Sequence, residues 1–576
     1  MTTPNEQKER LLFFSSLYER AKSRHSETLS ELSRHREQYL GSDEIDGSPV
    51  RASAVRNITY EIIEGQVSSA IPAPRVSHAG FTPEGERCAA GIERLLLRMR
   101  DELPFERLND LDERYTTVFG GSVWLVEWDA TRSYPGETGG IRLSCLSPED
   151  LIPEPDIPEI EDMEYCFLRF LTPRAELCRR YGVSPAEAAL GQCETEGERE
   201  DEDTVTVVIC FFREEDGAVS RFVFSGDTVL SDLPDYYGRK EELGPRCGAP
   251  SGCGCGGAPV LRTQDEERIP LPGGEITVPY YRPRRFPIVV RKNVSRAGRL
   301  LGQSDCEVIR PQQQAINKLE SRIQQKLMRS GVTPVMPEDA RVAPDNSVFG
   351  QVIRLGPGES TAQYGVIDTT PDVSQEILQS DRLYEQAKRL IGVTDSLLGL
   401  SDSTATSGYA KRLQIEQAAG RLESKRRMKQ AAYADIDRLI FDLHLAFADE
   451  ARATPYLDGR GRRCHASFDR YDFLVFDASR GTYVFDDGFL FSADKNGGLE
   501  TQRDLLWEEN LKNLQSGTLG SPSSPHTLLR YWQLQERAHY PNARENVEYF
   551  EELVRRAAEG GDAYGTDDRD EAPYGG

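Results

Sequence analysis

Three cysteines lie within one short, glycine-rich stretch. The segment RCGAPSGCGCGGAP contains Cys247, Cys253 and Cys255. Thiolates on such a segment are ligands that Zn²⁺ binds well, but the usual C-x₂₋₄-C spacing is missing and no fourth ligand is evident nearby. The eleven cysteines of the chain are an odd number without the spacing of a disulfide framework. We therefore expect reduced thiols, mostly buried, and keep a zinc site at these three residues as the alternative.

Two pairs of neighbouring carboxylates are the next candidates for chemistry. Glu161–Asp162 and Asp486–Asp487 resemble the metal-binding groups of two-metal nucleases. In a chain this acidic, however, a solvated loop explains such pairs better. The sequence also contains no G-x-x-x-x-G-K-[ST] phosphate loop, no G-x-S-x-G elbow and no H-E-x-x-H zinc motif. We therefore expect no enzymatic activity.

The seven histidines are scattered along the chain. His25 and His35 fall in a charged N-terminal helical pattern, where we expect them to be solvated. His444 lies beside the apolar stripe of a long predicted helix, which predicts a packing role rather than a general base. None of the three is a candidate catalytic residue.

Basic residues are concentrated on two predicted helices. Four of them recur on one side of the first, where they could face a nucleic-acid duplex: Lys318, Arg322, Lys326 and Arg329. Others crowd the first half of the long helix: Lys411, Arg412, Arg421, Lys425, Arg426, Arg427 and Lys429. For the long helix we expect salt bridges between subunits, because acidic residues are abundant.

The overall charge limits the kinds of partner. The chain of 576 residues has 95 acidic and 70 basic residues, a net charge of −25. Such a surface disfavours tight binding to nucleic acid. It is compatible with a channel whose acidic wall repels DNA and lets it slide through. No apolar run is long enough to span a bilayer and the N-terminus has no signal-peptide pattern, so we expect a cytoplasmic starting point and no membrane partner.

The region from Leu301 to Phe447 dominates the predicted fold. SDCEVIRPQQQAINKLESRIQQKLMR and PDVSQEILQSDRLYEQAKRLIG are helical, each with a narrow apolar stripe. A short β-rich insert separates them, and the polar loop TDSLLGLSDSTATSG follows. Gly408 to Phe447 then forms one uninterrupted helix of roughly 60 Å.

The long helix has a one-sided apolar stripe formed by Leu413, Ala418, Leu422, Met428, Ala432, Ile436, Leu439, Leu443 and Phe447. A helix of this length needs neighbours along its whole extent. Identical subunits packed in a ring would supply them, which a single globular core rarely does. A coiled coil or a helical domain is the alternative.

The remaining segments predict a mixed α+β chain. Helical patterns cover residues 6–40, 50–70, 84–100, 104–119, 499–514, 525–538 and 543–558, and a short helix after Phe170 has Thr172 as its expected N-cap. Strand patterns cover residues 122–153, 164–170, 205–230, 286–294 and 468–491, with a hairpin turn at Asp216–Gly217. Residues 236–283 are the least regular part, and the acidic tail from Gly560 is expected to be disordered.

The order of these patterns resembles that of the portal proteins of tailed double-stranded DNA bacteriophages and prophages. The resemblance is carried by VRNITYEIIEGQVSSAIPAP, by FERLNDLDERYTTVFGGSVWLVEWD with GGIRLSCLSPEDLIPEP, and by FPIVVRKN. LGQSDCEVIRPQQQAINKLESRIQQKL and GVTDSLLGLSDSTATSGYAKRLQIEQ complete it. The likeness covers most of the chain in order, although each motif alone is degenerate, and the cysteine-bearing insertion is not part of the family pattern.

The resemblance implies a portal-type α+β fold. Residues 1–300 would form the first part of a wing, with an insertion at about 236–283, and 451–498 would add its C-terminal strands. Residues 301–329 and 371–393 would be two stem helices flanking a clip at 330–370. A tunnel loop at 394–407, a spine helix at 408–450, a crown of helices at 499–560 and an acidic tail at 561–576 would complete the subunit.

The resemblance also implies a function. The subunits would form a ring, typically of about twelve copies, around a DNA channel at one capsid vertex of the virion. The ring would interact with capsid or scaffold proteins, with the terminase during packaging and then with head–tail adaptor proteins. Channel candidates in the tunnel loop are Leu400, Ser401, Asp402, Ser403, Thr404, Thr406 and Ser407. The competing hypotheses are a zinc- or metal-dependent DNA-processing enzyme and a helical scaffold protein that does not close into a ring.

Overall fold

The structure of the protein, a computed structural model, describes residues 4–41, 56–68, 70–80, 82–134, 136–182, 204–243, 260–271, 274–328, 332–335, 365–368, 372–393, 408–457, 463–479, 481–493, 500–537, 540 and 543–559. For residues 408–421 the backbone alone is described. The protein has a mixed α+β architecture with several small antiparallel sheets, which confirms the predicted α+β class. No helix within these ranges is long and apolar enough to cross a membrane.

The helices match the predicted ones closely at most of their ends. They are α1 (Pro4–Leu40), α2 (Ile58–Glu64), α3 (Pro83–Glu102), α4 (Phe105–Phe119), α5 (Arg174–Tyr181), α6 (Asp305–Met328), α7 (Ser374–Ile391), α8 (Gly408–Phe447), α9 (Glu500–Gln515), α10 (Pro525–Arg537) and α11 (Ala543–Glu559). The prediction around Thr172 is wrong, because this residue extends a strand and Pro173 occupies the N-cap of α5 without a side-chain hydrogen bond.

The strands form hairpins and short meanders. They are β1 (Pro74–His78), β2 (Gly121–Tyr134), β3 (Glu137–Leu146), β4 (Leu151–Pro153), β5 (Tyr165–Pro173), β6 (Thr204–Arg213), β7 (Val219–Ser225), β8 (Thr228–Leu233), β9 (Arg239–Leu243), β10 (Val260–Gln264), β11 (Glu266–Leu271), β12 (Gly274–Pro279), β13 (Ile288–Lys292), β14 (Val332–Val335), β15 (Gly365–Asp368), β16 (Arg452–Leu457), β17 (Arg463–Phe468), β18 (Leu474–Asp477), β19 (Thr482–Phe485) and β20 (Phe489–Ala493). The two largest sheets have the orders β4-β5-β6-β7-β8 and β13-β2-β3, and every pairing is antiparallel.

The second half of α8 lies at the centre of the largest hydrophobic core. Ile436, Asp437 and Leu439 point to different sides of the helix, and all three are buried. Strands β2, β13 and β20 and helix α3 of the same chain cover this half. The expectation that neighbouring subunits must cover a one-sided stripe is therefore wrong for this half. A helix buried on nearly every side has no polar face to define a stripe.

Helix α1 covers the five-stranded sheet. Phe14 stacks on Phe222 of β7 with ring centroids 4.7 Å apart, and Tyr18 packs edge-on against Phe167 of β5 at 5.4 Å. Aromatic pairs of this geometry add to the stabilisation gained from burial. The hairpin turn that leads into β7 contains Gly217 with φ +82°, as the Asp216–Gly217 signal predicted.

Helices α6 and α7 pack against each other. Their contact is formed by apolar residues of both helices together with two isoleucines of α2: Ile309, Ile316, Tyr384, Ala387, Ile391, Ile58 and Ile62. Strand β14 follows α6 and pairs with β15, which precedes α7, with Val332 opposite Asp368. Helix α7 ends at Gly392 in the left-handed conformation, as its sequence predicted.

The region predicted to be least regular contains two hairpins. Strand β9 pairs with β10 across residues 244–259, and β11 pairs with β12 across residues 272–273. At the other end of the chain, α10 contacts both α9 and α11, and Tyr540 packs against Trp507 with ring centroids 4.9 Å apart.

Candidate functional site

The predicted basic stripe of α6 is only partly free to meet another molecule. Lys318 and Arg322 are exposed one turn apart. Lys326 forms an ion pair with Glu376 of α7 and also donates to the carbonyl of Asp372. Arg329 lies outside the described residues. The exposed cationic surface therefore consists of Lys318 and Arg322, whereas Lys326 holds α6 and α7 together.

Two other predicted sites lie outside the described residues. These are the tunnel-loop candidates Leu400, Ser401, Asp402, Ser403, Thr404, Thr406 and Ser407, and the cysteines Cys247, Cys253 and Cys255. The three cysteines belong to the segment that connects the paired strands β9 and β10. Within the described ranges, no three His, Cys, Asp or Glu side chains are grouped closely enough to hold a metal ion.

The structure also contains a buried ionic network that the sequence patterns do not predict. Arg291 of β13 forms ion pairs with both Asp112 and Glu113 of α4, and its Nη1 lies 2.8 Å from Oε1 of Glu113. Nζ of Lys429, on α8, is 2.9 Å from the same Glu113 oxygen. All four side chains are at least nine-tenths buried, and two positive charges balance two negative ones. Trp124 of β2 also donates from Nε1 to Asp112 at 2.9 Å.

The charges of this network determine its protonation. Burial alone would raise the pKa of Glu113, but the neighbouring charges of Arg291 and Lys429 outweigh burial and hold this pKa below its usual value. Burial lowers the pKa of Lys429, and Glu113 opposes that effect. The network is thus a set of paired ions that fixes α4, β13 and α8 relative to one another.

A second ion pair extends the network to α6. Nζ of Lys425 lies 2.6 Å from Oδ2 of Asp305, in the first turn of α6, and donates to Oε1 of Gln66 at 3.0 Å. Asn293 donates to Asp305 at 3.0 Å. Lys425, Lys429 and Tyr433 lie one helical turn apart on α8, and this spacing was the available sequence signal. The expected pairing between subunits is wrong for Lys425 and Lys429, whose partners belong to the same chain.

The C-terminal end of α8 is held by a buried arginine. Nη1 of Arg470 donates to the carbonyl of Leu445 at 3.1 Å, and Nη2 pairs with Glu267 of β11. A cation at this position satisfies the carbonyls that the end of a helix leaves without partners. The β11–β12 hairpin, which lies in the predicted insertion, is thereby attached to α8.

The histidines divide into packing and paired residues. His444 is buried, donates from Nδ1 to the carbonyl of Ile440 at 2.7 Å and packs edge-on against Trp128, as predicted. His78 lies 3.1 Å from Asp486. The expected solvation of His35 is wrong, because its side chain is buried, and His25 is half-buried. The reason is that α1 packs against the body of the protein along most of its length.

Apolar side chains remain exposed on the α6–α7 pair. Leu327 is 52% exposed, Ile377 48%, Leu378 55% and Leu390 52%. The ion pair of Lys326 with Glu376 places the end of α6 beside the start of α7. Leu390 lies near the opposite end of α7. The described part of the chain thus leaves each of these four side chains about half exposed.

Comparison with models of known protein families gives no match to this chain. A search of curated protein sequences gives none either.

Proposed function

We propose that the chain is a portal subunit that assembles into a ring around a DNA channel at one capsid vertex. The ring would admit double-stranded DNA during packaging while seated on the terminase, and would afterwards hold the head–tail adaptor proteins. It would perform no covalent chemistry, and its location would be the virion. The proposal starts from the sequence resemblance to portal proteins.

The observation that carries the proposal is the succession of α6, the β14–β15 pair, α7 and α8. Two packed helices, joined through a small antiparallel sheet and followed by a helix of 40 residues, correspond to the stem, clip and spine that the resemblance implies. The strands that follow α8 return to the core formed by the N-terminal half, as the predicted wing requires.

The exposed apolar residues of α6 and α7 support assembly. Four large side chains, each about half exposed, lie on this helix pair, although α6 also packs against α1, α2 and α4. Covering each of them in a neighbouring copy would contribute about 1 kcal/mol per subunit contact. Repeated head-to-tail around a ring, such contacts favour a closed oligomer.

The charge distribution supports a channel rather than a tight DNA-binding site. Lys318 and Arg322 are exposed on α6, whereas the chain as a whole carries a net charge of −25. A ring with these properties would offer few phosphate contacts per subunit, so that DNA could move through it without being held.

Electron microscopy of the purified protein, with native mass spectrometry of the same sample, tests the proposal. We expect closed rings with a central hole and a mass near twelve copies. The double variant Leu378→Glu with Leu390→Glu should fail to form rings, whereas Leu97→Glu, which changes a residue on α3 that is 50% exposed, should assemble normally. A monomer at every protein and salt concentration, together with stoichiometric zinc or cleavage of DNA, would instead favour the enzyme hypothesis.

A further inference from the structure

A cavity of about 280 Å³ lies beneath the second half of α1. His25 and His35 line it from α1, and Phe119 and Leu301 line it from the opposite side. The cavity thus lies between this part of α1, the end of α4 and the segment that leads into α6. A change of charge on either histidine therefore affects the packing of α1 on α4 and on the start of α6.

His35 has no means of accommodating a second proton in place. Its side chain is 6% exposed, and its buried Nδ1 has no hydrogen-bond partner. A protonated imidazole is a donor at both nitrogens, so Nδ1–H would be left buried and unsatisfied. Within the described ranges, neither His35 nor His25 has a carboxylate at ion-pair distance that would stabilise the charged form.

Charged groups of both signs surround the cavity. They are Arg24 and Glu31 of α1, Glu154 and Asp156 after β4, Arg169 of β5, Arg296 and Arg299 after β13, and Glu307 and Arg310 of α6. Glu31 is paired with Arg299 at 3.3 Å, and Glu307 with Arg296 at 3.2 Å. Burial, and then the charge of Arg169 for His25 or Arg310 for His35, lowers the pKa of each histidine to about 4.

The same part of α1 connects three other helices. Nε2 of Gln38 donates to Thr59 of α2 at 3.1 Å and to the carbonyl of Cys306 in α6 at 3.0 Å. Leu32 packs in a small core with Phe119 of α4 and Cys306. Displacement of α1 would therefore expose the start of α6.

We propose that His25 and His35 form an acid-sensitive latch, which holds the second half of α1 on α4 and α6 near neutral pH and releases it in acid. Protonation of His35 requires contact of its buried imidazole with water. The least costly way to provide this contact is to lift residues 22–40 while the aromatic contacts of Phe14 and Tyr18 persist. The latch does not depend on the proposed function, because it concerns contacts within one chain.

Hydrogen–deuterium exchange with mass spectrometry, corrected for the pH dependence of intrinsic exchange, tests the latch. A histidine whose pKa falls from 6.5 to about 4 on docking weakens that docking about 30-fold at pH 5. We expect protection of amides in residues 22–40 to fall by at least that factor between pH 7.5 and pH 5. Amides of strands β5 and β6 should change much less.

Variants separate the latch from general acid unfolding. In the double variant His25→Asn with His35→Gln, amide protection of residues 22–40 should fall less than about threefold between pH 7.5 and pH 5. In the single variant His25→Asn, the fall should lie between that of the double variant and that of the unaltered protein. His465→Gln, which changes an exposed histidine, should behave like the unaltered protein. Unchanged protection at pH 5, or equal loss in the double variant and the unaltered protein, would overturn the proposal. If the double variant does not fold, the single variant decides.

Discussion

Lys425 of the longest helix and Asp305 in the first turn of α6 form a partly buried ion pair, with Nζ 2.6 Å from Oδ2. The two residues are 120 positions apart in the chain. One turn further along α8, Lys429 makes the equivalent contact with Glu113 of α4. The two lysines thus fix α8 against two different helices, so a displacement of α6 away from α8 would break the pair of Lys425 with Asp305.

Removing the charge of Lys425 should destabilise the protein considerably. In Lys425→Met, Asp305 keeps its hydrogen bonds from Asn293 and Gln66 but loses its counter-ion, and we expect the free energy of unfolding to fall by about 3 kcal/mol. Arg427→Met is the matched control, because the pair of Arg427 with Glu423 is exposed and should contribute less than about 0.5 kcal/mol. Denaturant titration measures both. Similar losses in the two variants would contradict a special role for Lys425.

The geometry of Arg470 should matter more than its charge. Its planar guanidinium contacts the carbonyl of Leu445 and the carboxylate of Glu267 at the same time, which a lysine ammonium cannot reproduce. We expect Arg470→Lys to lower the free energy of unfolding by about 2 kcal/mol and to increase amide exchange in the last turn of α8. Arg87→Lys, on the exposed surface of α3, is the control and should have almost no effect.

The sequence predicted the elements well where local signals were strong. Gly120, Gly217 and Gly392 each end a helix or form a turn in the left-handed conformation, and the corresponding boundaries agree with the structure to within a few residues. The apolar periodicity of α7 also predicted the burial of Tyr384, Ala387 and Ile391, whereas Ile377, in the same stripe, is exposed. These features depend on residues close together in the sequence, so one amino-acid sequence is enough to predict them.

The sequence did not predict the ionic network, for a physical reason. Arg291 lies 179 positions from Asp112 and 178 from Glu113 in the chain. Until the fold brings them together, their charges look like any other surface charges. The burial of His35 was missed in the same way, because α1 resembles a solvated helix when its partners are unknown. Long-range contacts, rather than helix or strand propensity, determine these sites.

The stability of the protein should decrease in mild acid partly because of His444. Burial lowers the pKa of His444 to about 4, so between that pH and 6.5 the unfolded chain binds a proton that the folded one does not. This histidine alone should reduce the free energy of unfolding by about 2 kcal/mol between pH 7 and pH 5. In His444→Gln the pH dependence over that interval should be shallower by this amount, whatever the stability at pH 7. His465→Gln should leave the slope unchanged.

Gly120 should tolerate no side chain. It ends α4 with φ +85°, and a Cβ there would lie 2.4 Å from the carbonyl oxygen of Gly302. Gly120→Ala should therefore cost at least about 3 kcal/mol, the sum of conformational strain and a displaced backbone. Gly298→Ala is the control, because its φ is +72° but its Cβ would meet no described atom within 4 Å. Gly298→Ala should therefore cost only the conformational strain of the left-handed backbone, about 1 kcal/mol. Equal losses in thermal unfolding would contradict the close approach.

The proposed channel makes a prediction that depends on charge alone. Lys318→Glu with Arg322→Glu should assemble normally, because both side chains are exposed on α6. Charge reversal at Lys326 is left out, because it would also break the ion pair with Glu376 that joins α6 to α7. If α6 faces DNA, heads built with the double variant should retain at least about threefold less DNA, and the defect should diminish at higher ionic strength. Arg179→Glu with Arg180→Glu introduces the same change of charge on the exposed surface of α5 and is the control. Normal DNA content in the α6 variant would show that Lys318 and Arg322 do not face DNA. It would not contradict ring formation, which electron microscopy measures independently.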